Sequence, residues 1–313
     1  MREITVREIH EYFGYRMVCG NDEALNRVVT EGDVNRPGLE LSGYLEIPYN
    51  RIVIIGEREI QYINTRMSEE AQRKAFDYLT RDSIPFILIS RDQPCPKILY
   101  DIAYAKNFPI FSSYAHTNSI IVELLSFLEE ALAPIETLHG VLMQVYGRGV
   151  LVTGDSGIGK SEIALEMIKK GHILVADDRV DVYRAHNQII GKPADVLKDM
   201  LELRGVGLLN IADMFGGMST TEKTDIDCIV NLCLSQNNRE EYDRLGMNNE
   251  HTVSLFGIEI PKLDIPVGQG RSVAAMIEAA VSNIIMRQKG RDSAENFRQK
   301  LTNYIESNKE EEN

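Results

Sequence analysis

The segment Gly154-Asp155-Ser156-Gly157-Ile158-Gly159-Lys160-Ser161 constrains this chain more than any other, because it fits the phosphate-loop pattern GxxxxGK[ST] in the context that pattern requires. A β-branched, apolar run at residues 150–153 precedes it, and residues 162–170 follow with helical spacing. A strand that turns through glycines into a helix wraps backbone N–H groups around phosphate oxygens, and the helix N-terminus adds its partial positive charge. In that arrangement Lys160 reaches the β and γ phosphates of a nucleotide, and the Ser161 hydroxyl is placed to meet Mg2+. The motif therefore implies an α/β core and a nucleotide, without naming a reaction.

A second constraint follows directly. Residues 172–176 read as a buried strand ending in Asp177-Asp178. A carboxylate at the C-terminal end of such a strand points into the crevice where phosphates lie. It can serve there as a magnesium ligand or as a base. Adjacent residues of a strand face opposite ways, so one Asp acts in the site while the other supports it, and spacing alone does not choose between them. Transfer to a hydroxyl needs a carboxylate in reach of its proton, with a pKa that nearby negative charge raises; this favours a kinase over a plain ATPase. Downstream, Gly205-Val206-Gly207 places two glycines within three positions, which argues for a backbone that turns sharply beside a ligand.

At 313 residues the chain is long enough for two cores. Before Pro134, short β-like runs at 52–55, 86–89 and 109–111 alternate with helical patterns at 68–78, 98–105 and 119–132, which predicts a small α/β layer domain. The expected boundary is that proline: residues 1–133 form a scaffold or regulatory domain and 134–313 the P-loop catalytic domain. No phosphate loop, metal-ligand cluster or acid pair occurs before it. Beyond it, residues 139–146 and 150–153 read as a hairpin around 147–149. Residues 273–287 carry an apolar stripe at helical spacing.

Composition narrows the partners. A formal charge of −13 disfavours a nucleic-acid partner, since phosphate backbones need basic surface. No apolar run approaches the ~20 residues that span a bilayer, and the start lacks the pattern of a secretory signal, so a cytoplasmic protein is expected. Cys19, Cys95, Cys228 and Cys233 are scattered and form none of the close pairs of zinc or redox motifs.

The ordered set GDSGIGKSE, LVADD (174–178), LELRGVGLLNI (201–211) and YDRLG (242–246) resembles the HPr kinase/phosphorylase family. The upstream HGVL (139–142) and RPGLEL (36–41) are also similar, so the resemblance spans nearly the whole chain. It implies a C-terminal domain of phosphoenolpyruvate-carboxykinase-like architecture, ATP and Mg2+ as ligands, and transfer of phosphate to a serine of the phosphocarrier HPr. It also implies the reverse task, phosphorolysis with inorganic phosphate in and pyrophosphate out, and a homohexamer. Position by position, Lys160 holds phosphate, Ser161 and Glu202 ligate Mg2+, and Asp178 accepts the acceptor's proton and later returns it. His139 and Arg244 complete the implied catalytic set. One stretch departs: residues 266–272, Pro-Val-Gly-Gln-Gly-Arg-Ser, stand where the family pattern resembles PVRPGRN, so the first arginine, the second proline and the asparagine are missing. Two other readings of the residues stay open at this point, an ATP-sensing module without catalysis and a P-loop kinase of a small hydroxylated metabolite.

Overall fold

The computed structural model describes residues 2–45, 49–234, 250–268, 272–291 and 295–303. The chain divides into two compact units, Met1–Pro134 and Ile135–Asn313.

The first unit is built on a five-stranded sheet. Its strands Val34–Asn35, Ile52–Ile55, Ile87–Ile89 and Ile110–Ser112 run parallel in that spatial order, and Arg16–Cys19 closes the edge antiparallel. Alternation along Ile52–Ile55 explains why the sheet is covered twice. Val53 and Ile55 pack with Ile60, Phe76 and Leu99 of the helices Glu57–Arg66, Glu69–Leu79 and Lys97–Ala105. Ile52 and Ile54 pack on the other face with Ile9, Ile120 and Leu124, from the helices Val6–Phe13 and Thr117–Ala131. The expected helix beginning at Ser68 is present, capped by the Ser68 hydroxyl, which accepts from the Ala71 N–H at 3.2 Å. The helix Glu57–Arg66 before it was not foreseen; its mean hydropathy is low and only Ile60 and Ile63 are buried.

The second unit has three layers. A six-stranded sheet runs in the order Ile173–Ala176, Val141–Val145, Arg148–Gly154, Cys228–Leu234, Ile258–Val267, Glu250–Leu255, with its three long central members parallel. The helices Lys160–Lys169 and Val273–Gln288 cover one face, burying Ala164, Met167, Ile277 and Val281 against Val141, Val152 and Val230. A four-stranded antiparallel sheet, Thr224–Asp225, Gln188–Pro193, Arg179–Ala185 and Glu136–His139, packs Val180, Val182 and Ile189 on the opposite face against Leu142, Leu151 and Ile229. The hairpin between 145 and 148 turns through Tyr146 and Gly147, both at positive φ (52° and 76°), as a two-residue turn matched to strand twist requires.

One expectation needs correction. Residues 139–146 are not a single strand: the run breaks at Gly140, leaving Glu136–His139 in the four-stranded sheet and Val141–Val145 in the six-stranded one. A Cβ on Gly140 would stand 2.6 Å from the Val152 carbonyl oxygen, so only glycine permits this close crossing. The chain crosses between the same two sheets again at Asp177-Asp178, between Ile173–Ala176 and Arg179–Ala185. The two crossings are fastened together, since the Gly140 N–H donates to the Asp178 carbonyl at 3.2 Å and His139 pairs with Arg179.

Candidate active site

The P-loop leaves the C-terminal end of Arg148–Gly154, the central strand, and enters the helix Lys160–Lys169. Gly154, Gly157 and Gly159 lie at φ 143°, 82° and 99°, a region costly for residues with a Cβ. Ile158 turns inward against the hydrophobic core, which anchors the loop from beneath. A cavity of about 150 Å³ opens above it, lined by the loop, Lys160, Ser161, Asp177, Asp178, Glu202 and Arg204.

The two aspartates do not face opposite ways as strand alternation predicted: the strand ends at Ala176, Asp178 takes a positive φ, and both side chains line the cavity, differing instead in burial. Asp177 is 5% exposed and carries structure. It accepts hydrogen bonds from the Ser161 hydroxyl (3.0 and 3.2 Å) and from the Glu202 N–H (2.9 Å), joining the P-loop helix to the hairpin Met200–Leu203/Gly207–Asn210. Asp178 is exposed, faces the same cavity, and holds its backbone at φ 63°, a conformation that aspartate tolerates better than most residues. Glu202 is exposed on the cavity wall, and Gly205 and Gly207 take positive φ in the turn that follows, as the glycine spacing implied.

Lys160 donates to the carbonyl oxygens of Gly154 (2.9 Å) and Asp155 (3.1 Å), so its ammonium is held over the loop. Arg204 is the residue that sequence reasoning missed. It does not pair with Glu202; its Nη2 donates to the Ser156 hydroxyl at 3.2 Å, and a Cβ on Gly157 would stand 2.8 Å from its Nη1. Arginine two positions after an acid suggests an ion pair, and only the hairpin's fold carries it across to the loop instead.

His139 is exposed at its strand end and does not line the cavity; it is joined to Asp178 through the backbone of Gly140. Arg244 lies outside the described residues, as do Gln269, Gly270 and Arg271 of the divergent stretch. The strands before these segments end at Leu234 and Val267, which pair with each other on the same edge of the sheet as the P-loop.

Burial pushes the Asp177 carboxyl above its ordinary range, against the opposing pull of the hydrogen bonds from Glu202 and Ser161. The folded state therefore accommodates the protonated form better. That contribution to stability is fully present below the unfolded pKa, near ~4, and is lost as pH rises through the folded value. Asp177→Asn is neutral at every pH; its amide oxygen still accepts from Glu202 and its NH2 can donate to Ser161. The variant is expected to gain on the parent in melting temperature as pH rises from about 4 through the folded value, and to hold that gain above it. Thermal denaturation across that range checks the sign, and a gap that narrows with rising pH would contradict it.

No group of three or more His, Cys, Asp or Glu side chains placed to hold a metal occurs among the described residues. The cavity nevertheless offers hard oxygen donors, Ser161, Asp177, Asp178 and Glu202, and no sulfur or imidazole. This donor set fits Mg2+, which keeps few protein ligands and takes the rest from phosphates and water.

Comparison with known proteins accounts for both units. The model of the HPr Serine kinase N terminus matches residues 4–128, and that of the HPr Serine kinase C-terminal domain matches residues 130–301. An HPr kinase/phosphorylase of Bacillus subtilis (strain 168) is 37% identical over 314 residues, covering 100% of both chains. One from Pediococcus pentosaceus is 38% identical over 307 residues, 97% of this chain and 98% of that one. A solved structure described as the Hpr(Ser) kinase/phosphatase from Coxiella burnetii is similar with TM-score 0.47 and 31% identity, covering 52% of this chain and 98% of that one. With both family models matched in order, and full-length relatives above one-third identity, the chain belongs to the HPr kinase/phosphorylase family.

Proposed function

We propose that this chain transfers the γ phosphate of ATP to a serine of the phosphocarrier protein HPr, and removes it again by phosphorolysis. The observation that carries this reading is the meeting of a phosphate loop, its lysine and an exposed aspartate in one cavity. Residues 1–133 are proposed as the scaffold or regulatory domain and 134–313 as the catalytic domain.

In the forward direction Lys160 exchanges its two loop carbonyls for phosphate oxygens, and the loop N–H groups hold the triphosphate in line. Asp178 accepts the proton of the seryl hydroxyl as its oxygen bonds to the γ phosphorus and the bond to the bridging oxygen of ADP breaks. Ser161 and Glu202 would hold Mg2+, which when bound would offset negative charge on the phosphates. Asp177 keeps the Ser161 hydroxyl oriented. In the reverse direction an oxygen of inorganic phosphate bonds to the phosphoseryl phosphorus, the seryl P–O bond breaks, protonated Asp178 returns its proton to the seryl oxygen, and pyrophosphate departs. His139 and Arg244 are proposed to offer hydrogen bonds or positive charge to the phosphoryl oxygens. Arg204, poised on Ser156, joins them as a cation over the loop.

The test is direct. Purified protein is incubated with γ-labelled ATP, Mg2+ and HPr, and inorganic phosphate is then added; labelled HPr that afterwards yields labelled pyrophosphate is the expected result. Label transferred to a small hydroxylated compound without HPr, or none transferred at all, would overturn it. The homohexamer implied by the resemblance is checked by light scattering on the same preparation.

The divergent stretch bears on one half of the activity. Gly268 stands where the family pattern has arginine, and among the described residues nothing approaches within 4 Å of the position its Cβ would take. Gly268→Arg therefore has room, and adds a cation beside a phosphate site. It is expected to raise the rate of phosphorolysis about tenfold, an extra charge-assisted hydrogen bond of ~1.5 kcal/mol, with little change in kinase rate. Equal phosphorolysis in the two proteins would remove the argument.

A further inference from the structure

The first unit contains a second polar cavity, about 280 Å³, that the proposed reaction does not use. It lies outside the C-terminal ends of the four parallel strands, where ligands bind in open α/β sheets. Each strand hands one segment to it. Arg36 follows Val34–Asn35, Glu57 and Arg58 follow Ile52–Ile55, Arg91 follows Ile87–Ile89, and His116 and Thr117 follow Ile110–Ser112. The crevice forms there because the helix Glu57–Arg66 leaves toward one face of the sheet and Thr117–Ala131 toward the other. Both helices begin at the cavity, at N-caps Gly56 and His116.

Its charge is opposite to that of the chain. Three arginines and a histidine face one glutamate in a protein whose formal charge is −13. Two of the arginines are each paired once: Arg91 Nη1 with Glu57 Oε2 of the cavity wall at 2.5 Å, and Arg36 Nη2 with Glu59 Oε1, outside the lining, at 2.6 Å. One contact each leaves most of a guanidinium's five donors unused. Arg58 and the His116 ring make no hydrogen bond or ion pair among the described residues. The segment bearing Arg91 is held by backbone bonds across the cavity edge, from the Arg91 N–H to the Ala115 carbonyl (3.1 Å) and from the Asp92 N–H to the Ser113 carbonyl (2.8 Å). Below the cavity, the hydroxyls of buried Ser90 and of Thr117 are 2.7 Å apart.

From this arrangement we infer that the first unit binds a small phosphate-bearing anion in the Arg36, Arg58, Arg91, His116 crevice. Guanidinium forks match the oxygens of a phosphate, and converging arginines select it over a neutral ligand. At roughly 30 Å³ per water, the space holds about nine waters, enough for a phosphate with a small organic body. The P-loop is a separate phosphate site on the second unit, and the two are distinguishable by substitution.

The test uses the full chain carrying Lys160→Ala, which removes the P-loop's lysine, and inorganic phosphate as the probe against chloride of equal ionic strength. The sequence contains no tryptophan, so Tyr114→Trp provides a single emitter beside Ser113 and Ala115. A saturable emission change, accompanied by a rise in melting temperature in the protein without the tryptophan, is expected. Arg58→Ala should weaken the response about tenfold, and Arg58→Ala with Arg91→Ala should abolish it. Arg58 is exposed and has no partner among the described residues, so its removal should leave the fold intact, which the melting curve without phosphate verifies. A phosphate response in either readout that disappears with the arginines supports the site. No response in both readouts, or one that survives the arginine substitutions, overturns it.

Discussion

Asp178→Asn is expected to lower both HPr phosphorylation and phosphorolysis by about 10² to 10⁴, the usual contribution of a positioned base, while ATP binding is retained. Asparagine is the informative replacement because of the backbone. Asp178 sits at φ 63°, which Asn adopts nearly as readily as Asp, whereas Ala would add roughly 1 kcal/mol or more of strain. The Asn variant thus removes the proton acceptor and little else. Since the proposed mechanism uses one carboxyl group in both directions, the two rates should fall together. If either stayed within fivefold of the parent, the base would have to be sought elsewhere, and buried Asp177 is the nearest other carboxylate of the strand end.

Gly149→Ala should give the largest stability loss of any single substitution among the described glycines of the second unit. A Cβ there would stand 1.6 Å from the Asp225 carbonyl oxygen and 2.8 Å from its carbonyl carbon. Those atoms are backbone and cannot rotate away. The glycine is also clamped on both sides: its N–H donates to Asp227 Oδ2 (2.9 Å), its carbonyl accepts from the Asp227 N–H (2.8 Å), and Arg148 pairs with Asp227 Oδ1 at 2.9 Å. Relief requires Thr224–Asp225 to peel away from the central hairpin, at a cost of about 3 to 5 kcal/mol. Gly217→Ala, where no atom lies within 4 Å, is the matched control and should be near neutral. Denaturant midpoints measure the difference, and a loss under 1 kcal/mol for Gly149→Ala would refute the clash.

The sequence made the chemistry of the second unit legible because local patterns encode it. The P-loop needs glycines at fixed intervals, and Asp177-Asp178 ends a run of apolar residues; both are readable one residue after another. Which Asp is buried was not readable. Hydrophobic periodicity does not see that the chain changes sheets at Gly140 and again at Asp178, because residues on either side of each crossing remain strand-like. The same limit hid Arg204, which gains its place over Ser156 only once Leu203 and Gly207 pair across their turn. In the first unit the helices at 69–79 and 117–131 announced themselves through a cap and an apolar stripe. The arginine crevice could not, since its residues come from four strand ends spread over residues 36 to 118, and no short motif joins them.

The paired crossings at Gly140 and Asp178 have a mechanical consequence. When one layer of a sandwich tilts against the other, each residue travels in proportion to its distance from the point where the layers share chain, and Asp178 stands at that fulcrum, with its carbonyl fastened to Gly140. Such a tilt therefore leaves the Asp178 side chain in place beside the phosphate loop, whichever layer moves.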